Sequence, residues 1–311
     1  MEIIKFTEYS DIARVYIAKS NNNYLEFVES TQPPLNINEK WVIIISTLYG
    51  CPINCSFCDC SYYYYGKINK KDILAQIEYL VHKRFGSNFV NTDKFKIQFS
   101  RMGEPSFNDE VIEVLYEIPK HFSYKYFIPS LSTIAPFGRE TFFNNLLELK
   151  KKIYDHTFQL QFSIHSTNMH KRDKLIPVKK WSFEQIAEYG KIFYSNGGKK
   201  ITLNFALNEA KDIDLKVLLK YFNPDIFLIK ITPINPTYKA LENQINSFIT
   251  KDNKSYELIK ELENNAYTVI LSIGEWEENK IGSNCGQYIL THLHSKQKYN
   301  DMYQYNLIDN V

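Results

Sequence analysis

The stretch "WVIIISTLYGCPINCSFCDC", Trp41–Cys60, decides how the rest of the chain is read. Trp41–Ser46 is apolar on both faces, the pattern of a strand buried in a parallel sheet. It runs directly into a loop that holds four of the chain's five cysteines, Cys51, Cys55, Cys58 and Cys60. Gly50 before the first cysteine and Pro52 after it suit a loop that wraps tightly around a bound group. Disulfides fit poorly, because the number is odd and the spacing too tight for a framework. Structural zinc sites pair two short clips separated by a dozen or more residues, and only one clip is present. Inert buried thiols leave the density unexplained. The C-x3-C-x2-C set of Cys51, Cys55 and Cys58 suits an iron–sulfur cluster, whose ligands are thiolates, with zinc and inert thiols as the alternatives. Three ligands on a four-iron cube leave one iron open to a small molecule. Cys60 falls outside that set and reads as a packing residue or an outer thiol.

Working outward, strand patterns recur at "KIQFS" (Lys96–Ser100), "YKYFIPSLS" (Tyr124–Ser132), "FQLQFSIH" (Phe158–His165), "KITLNFAL" (Lys200–Leu207) and "IFLIKITP" (Ile226–Pro233). Helical patterns lie between them. One puts Ile73, Leu74, Ile77, Leu80 and Val81 on a single stripe, with Asp72 near its start. Another opens on a capping box, Ser182 with Gln185, and should close at Gly197-Gly198. Strand–helix repetition every 30 or so residues means βαβ units and a parallel sheet, an α/β fold. Such sheets place their chemistry at the carboxyl ends of the strands. The cysteine loop lies at such an end, as do "RMGEPSFN", "LSTIAP", "SIHS" and "INPT".

The chain has 311 residues, 44% hydrophobic and 23% charged, with a formal net charge of +2. That is enough apolar material for a sizeable core, and no global basic excess points to nucleic acid. The N-terminus carries Glu2, Glu8 and Asp11 with no long apolar run, so no signal peptide or membrane span is expected. A cytoplasmic location follows, where thiols stay reduced.

The cysteine spacing, with Phe57 just before the third cysteine, resembles the radical S-adenosylmethionine (SAM) superfamily. The resemblance implies a [4Fe–4S] cluster on Cys51, Cys55 and Cys58, with SAM at the open iron. It also implies cleavage of SAM to a 5′-deoxyadenosyl radical, an electron donor such as flavodoxin or ferredoxin, and a partial (β/α)6 barrel. The strand-end motifs narrow it further. "MGEP" (Met102–Pro105), "LST" (Leu131–Thr133), "SIHS" (Ser163–Ser166), "R-D-x-L-I-P" (Arg172–Pro177), "N-P" (Asn235–Pro236) and "CGQ" (Cys285–Gln287) are similar to, and in order with, the methyl-cysteine-dependent (class A) RNA methyltransferases that act on carbon 2 or carbon 8 of adenine.

Taken singly these motifs say little. Gly103-Glu104 reads as a turn, Ser132 and Ser163 as caps or core, His165 as a satisfied core histidine and Asn235 as a turn residue. The resemblance implies that Phe57, Gly103, Glu104, Ser132, Ser163, His165 and Asn235 contact SAM. It implies that Cys285 is catalytic, taking a methyl group from one SAM and passing a one-carbon unit to an electron-poor carbon. Without it, Cys285 is a buried small hydrophobe.

Three departures bear on the substrate. The family's helical RNA-binding domain has no counterpart in the roughly 40 residues before the first barrel strand. Those residues read as a β-hairpin on Asn21–Asn23. The strand before "CGQ" is expected to be basic and here reads "SIGEWEEN", with Glu275, Glu277 and Glu278. The family's second cysteine, seven residues before the first cluster ligand, is replaced by Ile44. The basic run Lys171, Arg172, Lys174, Lys179 and Lys180 reads as a solvated face or a phosphate contact. The expected organisation is a β-hairpin extension at 1–40, a partial barrel at 41–290 and a tail at 291–311. The expected function is one-carbon transfer through Cys285 to an sp2 carbon of adenine in ribosomal or transfer RNA, or of a small molecule or peptide. The alternative is direct hydrogen abstraction by a radical SAM enzyme in which Cys285 is structural.

Overall fold

A computed structural model describes residues 1–10, 12–31, 33–250, 256–273, 276–283, 286–294 and 304–310. Three antiparallel strands, β1 (Glu2–Tyr9), β2 (Ala13–Ser20) and β3 (Asn23–Ser30), come first. Asn21 and Asn22 turn β2 into β3 at φ of 50° and 64°, the left-handed pair that a tight hairpin needs and that asparagine tolerates. Seven parallel strands follow: β4 (Lys40–Ile45), β5 (Lys94–Phe99), β6 (Phe127–Thr133), β7 (Gln159–Ser163), β8 (Ile201–Ala206), β9 (Phe227–Thr232) and β10 (Val269–Leu271). Each pairs with the next in sequence order. β3 pairs antiparallel with β4, so the first three strands extend the same sheet. β11 (Ile308–Asp309) returns to pair with β1.

The helices include α1 (Lys70–Phe85), α2 (Glu110–His121), α3 (Glu140–Leu149), α4 (Met169–Leu175), α5 (Phe183–Phe193), α6 (Leu215–Tyr221) and α7 (Tyr238–Glu242). The capping box of Ser182 and Gln185 opens α5, but α5 ends at Phe193. Gly197, at φ 78°, turns the chain after the helix rather than closing it. Among the described residues no helix is long and apolar enough to cross a membrane.

The strands alternate. Trp41, Ile43 and Ile45, Phe95, Ile97 and Phe99, and Ile229 and Ile231 are fully buried on one face. Trp41 stacks on Phe95 at 5.3 Å. Burying each such side chain stabilises the fold by roughly 1.5–3 kcal/mol. The other face is more polar and is concave. A flat sheet with strands about 4.8 Å apart would separate β4 from β9, five strands away, by about 24 Å. Yet Ile44 of β4 and Lys230 of β9 line one cavity of about 310 Å3. The sheet therefore curls around that cavity, within the size range of small-molecule sites.

Candidate functional site

The cysteine loop is stapled from two sides. Cys51 N–H donates to the Tyr63 carbonyl at 3.1 Å, and Ser56 N–H to the Leu175 carbonyl at 2.9 Å. Thr237 Oγ donates to the Phe57 carbonyl at 2.8 Å, while Asp59 accepts from the backbone N–H groups of Tyr238 and Lys239 at the start of α7. Asn54 takes φ 63° and Gly50 φ 81°, and a side chain at Gly50 would overlap the Tyr63 carbonyl. These turns aim Cys51, Cys55 and Cys58 into the cavity.

Burial and the neighbouring Cys58 thiol hold Cys51 up at about 12; burial, then Cys58 and Cys51, raise Cys55 well above the ordinary thiol range. Cys58 goes the other way, lowered first by its hydrogen bond with the Cys60 side chain. A thiol that ionises readily beside two that resist it suits a cationic metal group that takes all three as thiolates. Among the described residues no three Cys, His, Asp or Glu side chains close on one point as a single ion requires. A four-iron cube would take each thiolate on a separate iron, and Cys51, Cys55 and Cys58 around one cavity fit that use.

Phe57 of the cysteine loop and the strand-end residues named from the sequence, Gly103, Glu104, Ser132, Ser163, His165 and Asn235, all line the same cavity. Glu104 is buried. Its Oε1 accepts from Ser106 N–H, Ser106 Oγ and Thr133 Oγ (3.1, 2.7 and 2.5 Å), and its Oε2 from Ile134 N–H at 2.9 Å. Those donors oppose the upward push of burial on its carboxyl. Oε2, with one donor, keeps capacity for a second, such as an ammonium. Gly103 has φ 95°, and a Cβ there would fall 2.5 Å from Leu48 Cβ. His165 Nδ1 accepts from Ala206 N–H at 3.1 Å, and its ring meets Phe57 edge-on at 5.0 Å. Burial, then Arg172, depresses His165 to about 3, so it is neutral near pH 7 with its proton on Nε2.

Cys60 is buried in the core at the cavity wall. It lies beside Cys58, and its Sγ donates to the Arg101 carbonyl at 3.3 Å. Ile44, at the position of the family's second cysteine, also lines the cavity. The basic run splits. Arg172 is buried and donates to the Trp181 carbonyl at 2.9 Å, Lys171 pairs with Asp212 at 2.5 Å, and Lys180 with Asp173 at 2.5 Å.

"SIGEWEEN" is not one strand: β10 ends at Leu271, and Trp276–Ile281 is helical. Glu278 is buried there, so its carboxylate adds nothing to an exposed acidic row. Glu275, the Glu277 side chain and Cys285 lie outside the described residues.

Sequence reasoning passed over a buried pair, Glu26 of β3 and Arg101. Arg101 Nη2 meets Glu26 Oε2 at 3.3 Å, and its Nη1 donates to the carbonyls of Gly282 and Ser283 at 2.9 and 3.0 Å. Glu26 Oε1 accepts from Ile289 N–H at 3.1 Å. The pair thus holds both flanks of the segment that carries Cys285 in sequence. A charged residue at the centre of a buried strand, as Glu26 is in "NYLEFVES", was the available signal.

No family model matches the chain. It is similar to the probable dual-specificity RNA methyltransferase RlmN of Petrotoga mobilis, with 25% identity over 216 residues covering 68% of this chain and 59% of the relative. It is likewise similar to the dual-specificity RNA methyltransferase RlmN of Vesicomyosocius okutanii, with 25% identity over 245 residues covering 73% and 63%. The chain thus spans about three fifths of the length of these relatives. A radical SAM methyltransferase from Sphaerobacter thermophilus has the same fold, at a TM-score of 0.63 and 16% identity over 92% of this chain and 80% of that one. The sequence likeness is thus to RNA methyltransferases, and the fold is that of a radical SAM methyltransferase.

Proposed function

We propose that this chain is a radical SAM methyltransferase-like enzyme, built on a partial (β/α) barrel, that transfers a SAM-derived one-carbon unit through Cys285 to an sp2 carbon. The observation that carries this reading is the convergence of three loop cysteines, Phe57 beside them and six strand-end residues on one cavity, in a chain similar to RNA methyltransferases. Cys51, Cys55 and Cys58 hold the [4Fe–4S] cluster. When bound, the cluster supplies the electron that splits SAM, and SAM supplies both the radical and the carbon. Oε2 of Glu104 accepts from the SAM ammonium. Gly103 lets the backbone approach it without a side chain in the way. Ser132, Ser163, Asn235 and the Nε2–H of His165 bind its ribose and carboxylate, and Phe57 packs on it. The Cys285 thiolate would attack the methyl carbon of one SAM, forming its S–CH3 bond as the sulfonium bond breaks and S-adenosylhomocysteine leaves.

The acceptor is adenine in RNA or an unsaturated carbon of a small molecule or peptide. Intact-protein mass and peptide mapping test the role of Cys285. The expected result is one methyl increment on that residue after expression with SAM available. SAM cleavage without that increment would favour direct hydrogen abstraction with Cys285 structural.

A further inference from the structure

The concave face carries a second group of residues, at the end away from the cysteine loop. β4 opens on Lys40, β5 carries Lys94 and Lys96, Lys199 precedes β8, and β9 carries Lys230. The register sets Lys40 beside Lys94 and Lys230 beside Asn204. Alternation points Lys96 to the same face as Gln98, which lines the cavity, as Lys230 and Asn204 do. Burial, then Lys230, Lys40 and Lys199, holds the Lys96 ammonium well below its ordinary value. Burial, then Lys40, lowers Lys230. No carboxylate contributes to either shift.

Neither Lys96 nor Lys230 has a hydrogen-bond or ion-pair partner among the described residues. One layer nearer the cysteines, Asn204 is 8% exposed and lines the cavity beside Lys230, where its amide N–H can donate to an anion. A fold that buries repelling ammonium groups with no carboxylate beside them is destabilised by them until an anion neutralises them.

We propose that this floor binds the phosphate end of a small phosphorylated substrate, neutralised by Lys96 and Lys230 and hydrogen-bonded by Asn204 and Gln98. Lysine is a compact charge suited to phosphate, and a multiply charged group answers two ammoniums at once. Lys230 lies two residues before Thr232 at the end of its strand, about 7 Å along it. A ligand of one ring and a phosphate therefore spans the cavity from floor to cysteine rim. An RNA chain entering base first leaves its phosphates outside the mouth, so the floor favours a small molecule as acceptor. That last step rests on the one-carbon transfer reading above.

The test is calorimetric titration of the anaerobically reconstituted protein with inorganic pyrophosphate, with thermal melting alongside. Lys96→Met and Lys230→Met should each weaken pyrophosphate binding at least tenfold. Without anion each should melt no lower than the wild type, since each removes a repelling charge. Lys220→Met, at an exposed site on α6, should bind as the wild type does. Undiminished affinity in Lys96→Met and Lys230→Met, or no binding by the wild type, would overturn the site. Succinate binding as tightly as pyrophosphate would overturn the assignment to phosphate, and displacement of pyrophosphate by an RNA stem-loop would overturn the assignment to a small molecule. Pyrophosphate binding lost in both lysine variants, in a protein that fails to cleave SAM, would sink the one-carbon reading and leave the anion site standing.

Discussion

The two ends of the cavity are held in opposite ways. At the rim, nearly every functional group is pinned by a neighbour: Glu104 by four donors, His165 by Ala206, and the cysteine loop by Leu175, Thr237 and the start of α7. At the floor, Lys96 and Lys230 crowd other ammoniums, and neither has an ion-pair partner among the described residues. A rim that is fixed before its ligands arrive suits positioning for chemistry. A floor left unsatisfied suits a ligand that brings the missing charge.

The largest expected effect lies at the rim. Cys51→Ala, Cys55→Ala or Cys58→Ala should each prevent assembly of a full cluster, where the wild type holds about four iron atoms per chain after anaerobic reconstitution. Cys60→Ala should keep the full iron content, and iron and sulfide assays decide it. Next comes the buried pair behind the rim. Arg101→Met leaves the Glu26 carboxylate uncompensated and should cost about 3–5 kcal/mol in denaturant unfolding, much of it regained in the Glu26→Gln/Arg101→Met double variant.

The same pair gives a pH dependence. Burial raises Glu26 from 4.5 to about 7 against the opposing pull of Arg101. Folding therefore takes up a proton between those values. The contribution is fully present below about 4.5 and is lost as the pH rises through about 7. Glu26→Gln should flatten that slope. Gly103→Ala, strained at φ 95° against Leu48, should cost about 1–3 kcal/mol. The smallest effect has the opposite sign: without anion, Lys96→Met should raise the melting temperature by about 2 °C, for roughly 1 kcal/mol of relieved repulsion. A floor variant that melts well below the wild type would break the contrast between the two ends.

The same contrast explains what was legible in the sequence. Rim residues come in short contiguous words, such as Met102–Pro105 and Ser163–Ser166, because one loop delivers several groups at once. The floor is built from single residues on separate strands, so no word spells it. Its signal was the alternation in "KFKIQF" and "FLIKIT", where Lys96, Gln98 and Lys230 fall at every second place. Reading Trp41–Ser46 as apolar on both faces was correct for that strand, and it hid the polar concave face that β5, β7 and β9 make. The parallel α/β order was readable from spacing alone, whereas the return of Ile308–Asp309 to β1 depends on two residues with no periodic signal.

The central claim is that the rim holds a SAM-cleaving cluster on three loop cysteines. The direct measurement is release of 5′-deoxyadenosine from SAM by the reconstituted, chemically reduced protein, compared with its Cys55→Ala variant. The wild type should release it and the variant should not; equal release from both, or none from a wild type carrying its full iron, would refute the three-cysteine cluster.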